Sequence, residues 1–342
     1  MIRHFIIALL LFESILPSFG QDHIFSSFDV NVKEVAATAI EMSFVEPQKK
    51  QLQLATSYPA QLNPLEVHAS RLSTLSALKI EERIFYPDTV KTIFPEWKEA
   101  FVPVFKDKAR YNLKYLDILQ GLNSSYVVDV KRGPEGFLWF ATLGGGIGRY
   151  DGSRIQHFSK ESGLKSERVY DLNFDARGNL WFATKGGGFG MFDGDHFYNY
   201  MQGEDASRDM IYGMSILSDG KIAFLTADGI LGILNEDSLM AYDLTLALDF
   251  DEGHKVHQDD NGSLWVTTNS GFLNITNGIV TSYVFDINPS SYWEIGSSKD
   301  GLWFCGSIRA VFYDGSGFYQ LSSGGFPPEP FFMGYGEDSE GN

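Results

Sequence analysis

Tryptophan recurs in this chain at a fixed stride. Trp139 and Trp181 are 42 residues apart; the next step lands on Ala223 and the one after on Trp265. Gly136, Gly178, Gly220 and Gly262 keep the same pace, and a slightly shorter unit then brings Gly301 and Trp303. Five units are visible, the third without its tryptophan. A unit of about 40 residues cannot bury both faces of its own sheet, so it has to stack on copies of itself. That requirement constrains the fold more tightly than composition does.

Each unit divides into four short apolar runs separated by turn residues, in the second unit Val169–Phe174, Leu180–Thr184, Phe189–Phe192 and His196–Tyr200. The connecting turns are "DARGN" at 175–179, the glycines at 186–188 and "DGD" at 193–195. The expectation is an all-β chain, a β-propeller of four-stranded blades, with the repeating Trp and Gly positions structural. Residues 337–342, "EDSEGN", match the stretch that precedes Leu-Trp in other units, and residues 112–116 stand where a fourth strand would lie without its first three. An incomplete ring is therefore expected, about five blades plus a partial one, belonging to a longer protein.

The segments before the repeat read differently. Residues 1–20 have a basic start, a short apolar stretch and small residues placed for cleavage, the pattern of a secretory signal peptide. Residues 21–110 form a non-repeating leader, expected to be partly helical. Within it Leu65, Leu72, Leu75, Leu78 and Ile80 fall at roughly helical spacing over residues 63–84. The repeats then occupy residues 111–342.

Charge and cysteine content exclude several classes of function. With 27 basic against 44 acidic residues and a net charge of −17, the chain is unsuited to nucleic acid or anionic lipid. Cys305 is the single cysteine, so no internal disulfide or zinc ribbon is available, and its place in "LWFCG" suits a small core residue. The glycine triplets lead into another strand rather than a helix N-terminus, so they read as turns and not as a phosphate cradle. The acidic turns lack calcium-loop spacing and a terminal glutamate. His254 and His257 are three apart in a strand and point to opposite faces, which defeats a metal pair. No nucleophile elbow or metalloprotease motif is present, and no cofactor or metal is implied.

One column invites a functional reading. Val128, Tyr170, Tyr212 and His254 follow the repeat stride at the start of each first run, and the shorter fifth unit places Tyr292 with them. If the first strand is innermost, this column rings the mouth of the central channel. Two uses are open to it: packing between blades, or stacking on a flat apolar ligand face such as that of a sugar.

The unit "GLKSERVYDLNFDARGNLWFATKGGGFGMFDGDHFYNY" resembles the two-component regulator propeller repeat. The resemblance covers about residues 112–342 and is carried by Gly-Asn-Leu-Trp-Phe-x-Thr, the glycines and the Phe/Tyr-Asp-Gly turn. It implies the periplasmic or extracellular sensor region of a histidine kinase or hybrid two-component protein, whose parent is a membrane-anchored dimer. It also implies a small-molecule or oligosaccharide ligand. The kinase, receiver and DNA-binding modules are not in this sequence, so the chain itself is read as non-enzymatic. Two alternatives stand beside the sensor: a secreted propeller lyase, which would need a His and a Glu at the channel mouth, and a scaffold or adhesion propeller.

Overall fold

Alternation in the second strand of each unit decides how the blades stack. In Leu180–Thr184, Trp181 and Ala183 face one side and Leu180 and Phe182 the other, and all four are buried. A strand covered on both faces carries an unbroken apolar run, and "LWFA" is one.

The computed structural model describes residues 61–101, 104–105, 114–116, 118–201, 210–246, 253–269, 271–285, 292–306 and 309–322. The signal-peptide reading and residues 337–342 lie outside these. Five early strands are β1 (Gln61–Leu65), β2 (Val67–Thr74), β3 (Lys79–Ile84), β4 (Asp88–Lys91) and β5 (Lys98–Glu99), and β6 (Val104–Phe105) pairs with β7 (Lys114–Tyr115). The residues expected to supply an isolated fourth blade strand thus end in a separate two-stranded ladder. Blade I comprises β8 (Val127–Arg132), β9 (Leu138–Thr142), β10 (Gly146–Tyr150) and β11 (Arg154–Phe158). Blade II is β12 (Val169–Phe174), β13 (Leu180–Thr184), β14 (Phe189–Phe192) and β15 (His196–Tyr200). Blade III is β16 (Ile211–Ile216), β17 (Ile222–Thr226), β18 (Ile230–Asn235) and β19 (Ser238–Asp243). Blade IV is β20 (Gly253–Gln258), β21 (Leu264–Thr268), β22 (Gly271–Thr276) and β23 (Ile279–Phe285). Blade V is β24 (Tyr292–Ser298), β25 (Gly301–Gly306), β26 (Ala310–Tyr313) and β27 (Phe318–Ser322). Among the described residues no helix is long and apolar enough to cross a membrane.

Over the described residues the fold is a five-blade β-propeller arrangement, but each blade has five strands rather than four. The fifth comes from the leader: β1 pairs antiparallel with β27, β2 with β23, β3 with β19, β4 with β15 and β5 with β11. The leader therefore runs round the outer edge in reverse blade order, V to I. The helix expected over 63–84 is replaced by β1, β2, a single 3-10 turn at Leu75–Leu78 and β3. Its apolar residues are spaced for blade junctions, not for a helix face. Leu65 and Val67 join the core between blades IV and V, Leu72, Leu75 and Leu78 that between III and IV, and Phe85 that between II and III. Phe94 packs on Phe158 and Phe192 of blades I and II.

Among the described residues four hydrophobic cores lie between adjacent blades. Trp139 and Ala141 of blade I meet Leu172, Leu180 and Phe182 of blade II, and Trp265 meets Phe304 of blade V. Ala223 takes the tryptophan's place in blade III and is fully buried. Trp303 is half-buried and packs on Phe312. The turn glycines serve the backbone: Gly178 has φ +88, and its N–H donates to Asp175 O at 3.0 Å. A Cβ at Gly188 would sit 2.0 Å from Tyr200 O, so only glycine lets the fourth strand close on this turn.

Candidate functional site in the central cavity

The first strands β8, β12, β16, β20 and β24 form the inner edges of their sheets and pack on one another in blade order. Residues from all five line one cavity of about 160 Å³, Lys131, Asp171, Ser215, Lys255 and Glu294 among them. This confirms the first strand as the innermost.

Every first strand carries a bulge near its start. The register slips between Val127 and Asp129, Val169 and Asp171, Ile211 and Gly213, Gly253 and Val256, and Tyr292 and Glu294. Val128, Tyr170, Tyr212 and His254 sit in these slips, where a bulge re-aims side chains. Tyr292 does not: it pairs with Gly306 as Val169 pairs with Thr184, and Trp293 occupies the fifth place in the column. The shorter fifth unit displaced the count by one residue.

Three column members meet across blades II to IV. The Tyr170 and Tyr212 rings pack edge to face at 4.8 Å, and Tyr212 lies 6.1 Å from the His254 ring. The Lys185 ammonium stands 5.9 Å from the centre of the Tyr212 ring. His254 is only 2% exposed and its Nε2 is 2.7 Å from Asn269 Oδ1, so it backs the row. Tyr170 and Tyr212 are half-buried and form its accessible part.

The next position along each strand holds a second column: Asp129, Asp171, Gly213, Lys255 and Glu294. Asp129 Oδ2 accepts from Leu172 N at 2.9 Å and Asp171 Oδ2 from Met214 N at 2.8 Å, each fastening its blade to the next. Lys255 Nζ donates to Asp171 Oδ1 at 2.7 Å, spanning from blade IV to blade II, and lies 3.3 Å from Glu294 Oε2. Gly213 makes that reach possible, because a Cβ there would stand 2.6 Å from His254 O and 2.8 Å from Lys255 Cδ. Burial pushes the Asp171 carboxyl up to about 6 against the pull of Lys255. Burial alone would lower Lys255; Asp171, Glu294 and Asp129 outweigh it and hold the ammonium well above its usual range. Charges at a 42-residue stride inside apolar strands were the available sequence signal for this column.

The remaining sequence candidates are spent on structure. Asp175 accepts from Arg177 N, Asn179 N and the Trp181 indole, and Asp259 from Asn261 N, Ser263 N and the Trp265 indole. These carboxylates, which superficially suggest calcium, tie the turn to the tryptophan. His254 and His257 part company, His257 Nε2 lying 2.7 Å from Ser297 Oγ. Cys305 is buried, and burial pushes its thiol up to about 12.

The family model described as two component regulator propeller matches residues 163–186, from the turn before β12 to the glycine turn after β13. The chain carries that repeat. The extracellular domain of a putative hybrid two component system from B. thetaiotaomicron is similar in structure, with a TM-score of 0.56 and 18% identity over 75% of this chain and 37% of that one. A streptogramin B lyase gives a TM-score of 0.54 and 19% identity over 69% of this chain and 75% of that one. Virginiamycin B lyase from Staphylococcus aureus gives 0.54 and 17% over 69% and 78%. The chain thus spans little more than a third of the two-component domain. No curated protein matches the sequence. At these identities the likeness shows the propeller fold.

Proposed function

We propose that this chain is the ligand-sensing propeller of a two-component signalling protein, exported from the cytoplasm and without a reaction of its own. Its ligand is a glycan or glycan fragment. The observation that carries the reading is the edge-to-face pair Tyr170–Tyr212, set on the inner strands of a chain that carries the regulator propeller repeat. Aromatic faces on the same strands as a polar cavity suit sugars, whose apolar faces stack while their hydroxyls bond. A glycan array probed with the wild-type chain and with a Tyr170→Ala, Tyr212→Ala double variant tests this. Binding that the double variant loses supports the site; unchanged binding removes it, and no binding at all favours a scaffold.

A second reading has one observation in its favour. His257 and Glu294 line the same cavity, which supplies the His and Glu a propeller lyase needs. Burial lowers the His257 pKa, keeping the ring neutral and fit to act as a base. Mass spectrometry of a type B streptogramin incubated with the chain checks it: an unaltered antibiotic sinks the lyase.

A further inference from the structure

The central cavity holds polar capacity that the fold leaves unused. Asp129 is engaged by Leu172 N, Val130 N and Lys131, and Asp171 by Met214 N, Leu172 N and Lys255. Four lining groups besides Asp171 are less committed among the described residues. Ser215, 9% exposed, has no hydrogen-bond partner for its hydroxyl, and Asn173 donates to Met214 O while its Oδ1 accepts nothing. The Lys131 ammonium has only Asp129 at 3.4 Å, and the Glu294 carboxylate has only Lys255 at 3.3 Å.

The charges do not balance either. Asp129, just outside the lining, and Asp171 and Glu294 within it form one network with Lys131 and Lys255, three carboxylates against two ammonium groups. A partly desolvated carboxylate without a full counter-charge is costly, and screening by salt is weak inside a cavity. Glu294 is where the excess falls, because Lys255 is already held at 2.7 Å by Asp171. What would relieve it is a single positive charge brought in with hydrogen-bond donors for Ser215 and Asn173.

We propose that the cavity binds the protonated amine of a small hydroxylated ligand, with Glu294 as its counter-ion and Ser215 Oγ and Asn173 Oδ1 accepting its further donors. The ligand class is an amino sugar rather than a neutral or N-acetylated one. The inference rests on the sensing reading and narrows it to one kind of glycan fragment. A volume of about 160 Å³ admits the amine and the ring atoms beside it.

Calorimetric titration of the whole chain at pH 7, above the Asp171 pKa of about 6, with glucosamine, glucose and N-acetylglucosamine tests the amine. Glucosamine is expected to bind at least tenfold more tightly than the other two. Glu294→Gln is expected to abolish that preference, with the urea unfolding midpoint confirming that the variant is folded. Should Glu294→Gln not fold, Ser215→Ala takes its place and is expected to weaken glucosamine several-fold while leaving glucose unaffected. Equal binding of the three sugars, a preference that survives Glu294→Gln or is untouched by Ser215→Ala, or no binding of glucosamine overturns the proposal. The Tyr170→Ala, Tyr212→Ala variant separates the two readings. A preference for glucosamine that persists undiminished there keeps the cavity site and removes the aromatic row. Loss of affinity for all sugars, with no role for Glu294, keeps the row and removes the amine site.

Discussion

The blades and the leader that straps them are both made of β-strands, yet they are specified in different ways. A blade strand such as Leu180–Thr184 is buried on both faces, so every position is constrained and the constraint repeats in each unit. A strap strand pairs through its backbone to the outer edge of a blade, and β3 is exposed at five of its six positions. Backbone pairing at a sheet edge asks little of side chains. Only the residues that drop into a blade junction, Leu65, Val67, Leu72, Leu75, Leu78, Phe85 and Phe94, are tied to what lies beneath. A chain can therefore carry a structural element of forty residues or so with almost no pattern, provided something patterned offers it an edge.

The comparison is broken most directly at Phe85. Its ring is 7% exposed and packs on Phe189 and Tyr200, with the Arg83 guanidinium 4.8 Å from its centre. Phe85→Ala is expected to cost about 3–5 kcal/mol in urea denaturation, as much as a blade core residue, while Ile84→Ala, 60% exposed next door, should stay within about 0.5 kcal/mol. A Phe85→Ala cost below about 1 kcal/mol would show the strap to be peripheral to blade stability.

A smaller effect is expected inside the repeat itself. Asp175→Ala removes the acceptor of the buried Trp181 indole and of two turn amides, and should cost about 1–3 kcal/mol by the same measurement. Blade I already lives without that acceptor. Gly133 stands in the aspartate's place there, and the Trp139 indole N–H is buried with no partner. If Asp175→Ala is neutral, the Asp–Trp tie belongs to the turn's sequence habit and not to its stability.

The smallest effects should appear in acid. Burial alone would raise the carboxyls of Asp151, Asp175 and Asp193, but the hydrogen bonds they accept outweigh it and lower all three, Asp151 to about 2. Their contribution is complete above the usual carboxylate range and is lost as pH falls through the depressed values. Asp171 has the opposite sign: with its pKa raised to about 6, its contribution declines as pH climbs from the usual range toward 6. Thermal unfolding followed from pH 5 down to pH 2 should show a falling midpoint, with a shallower fall for Asp175→Ala. A midpoint independent of pH over that range would remove these carboxylates from the stability of the turns.

The repeat made the blades legible. Trp181, Gly178 and the four runs of the second unit stand where the stride put them, because stacking identical units imposes the same burial at the same offset. The stride also aligned Tyr170 with Tyr212, and their rings meet edge to face. It failed at Tyr292, where a shortened unit and a bulge shift the register by one. The helix read over 63–84 failed because Leu65, Leu72, Leu75 and Leu78 answer to the spacing of blade junctions, which no periodicity within the leader expresses. The charged column was overlooked because Asp129 and Asp171 look like ordinary polar residues until the structure buries them together.

By itself, then, the sequence determined the four runs of the blade and their stride, since local burial repeated along the chain leaves a mark in every copy. The tertiary structure decided what lies at either edge of each blade. Outside, it chose which blade each strap strand would pair with; inside, it brought Lys255 over Gly213 to Asp171, a contact between residues 84 apart. Contacts of that kind depend on how whole blades are placed, and no single blade's sequence contains that information.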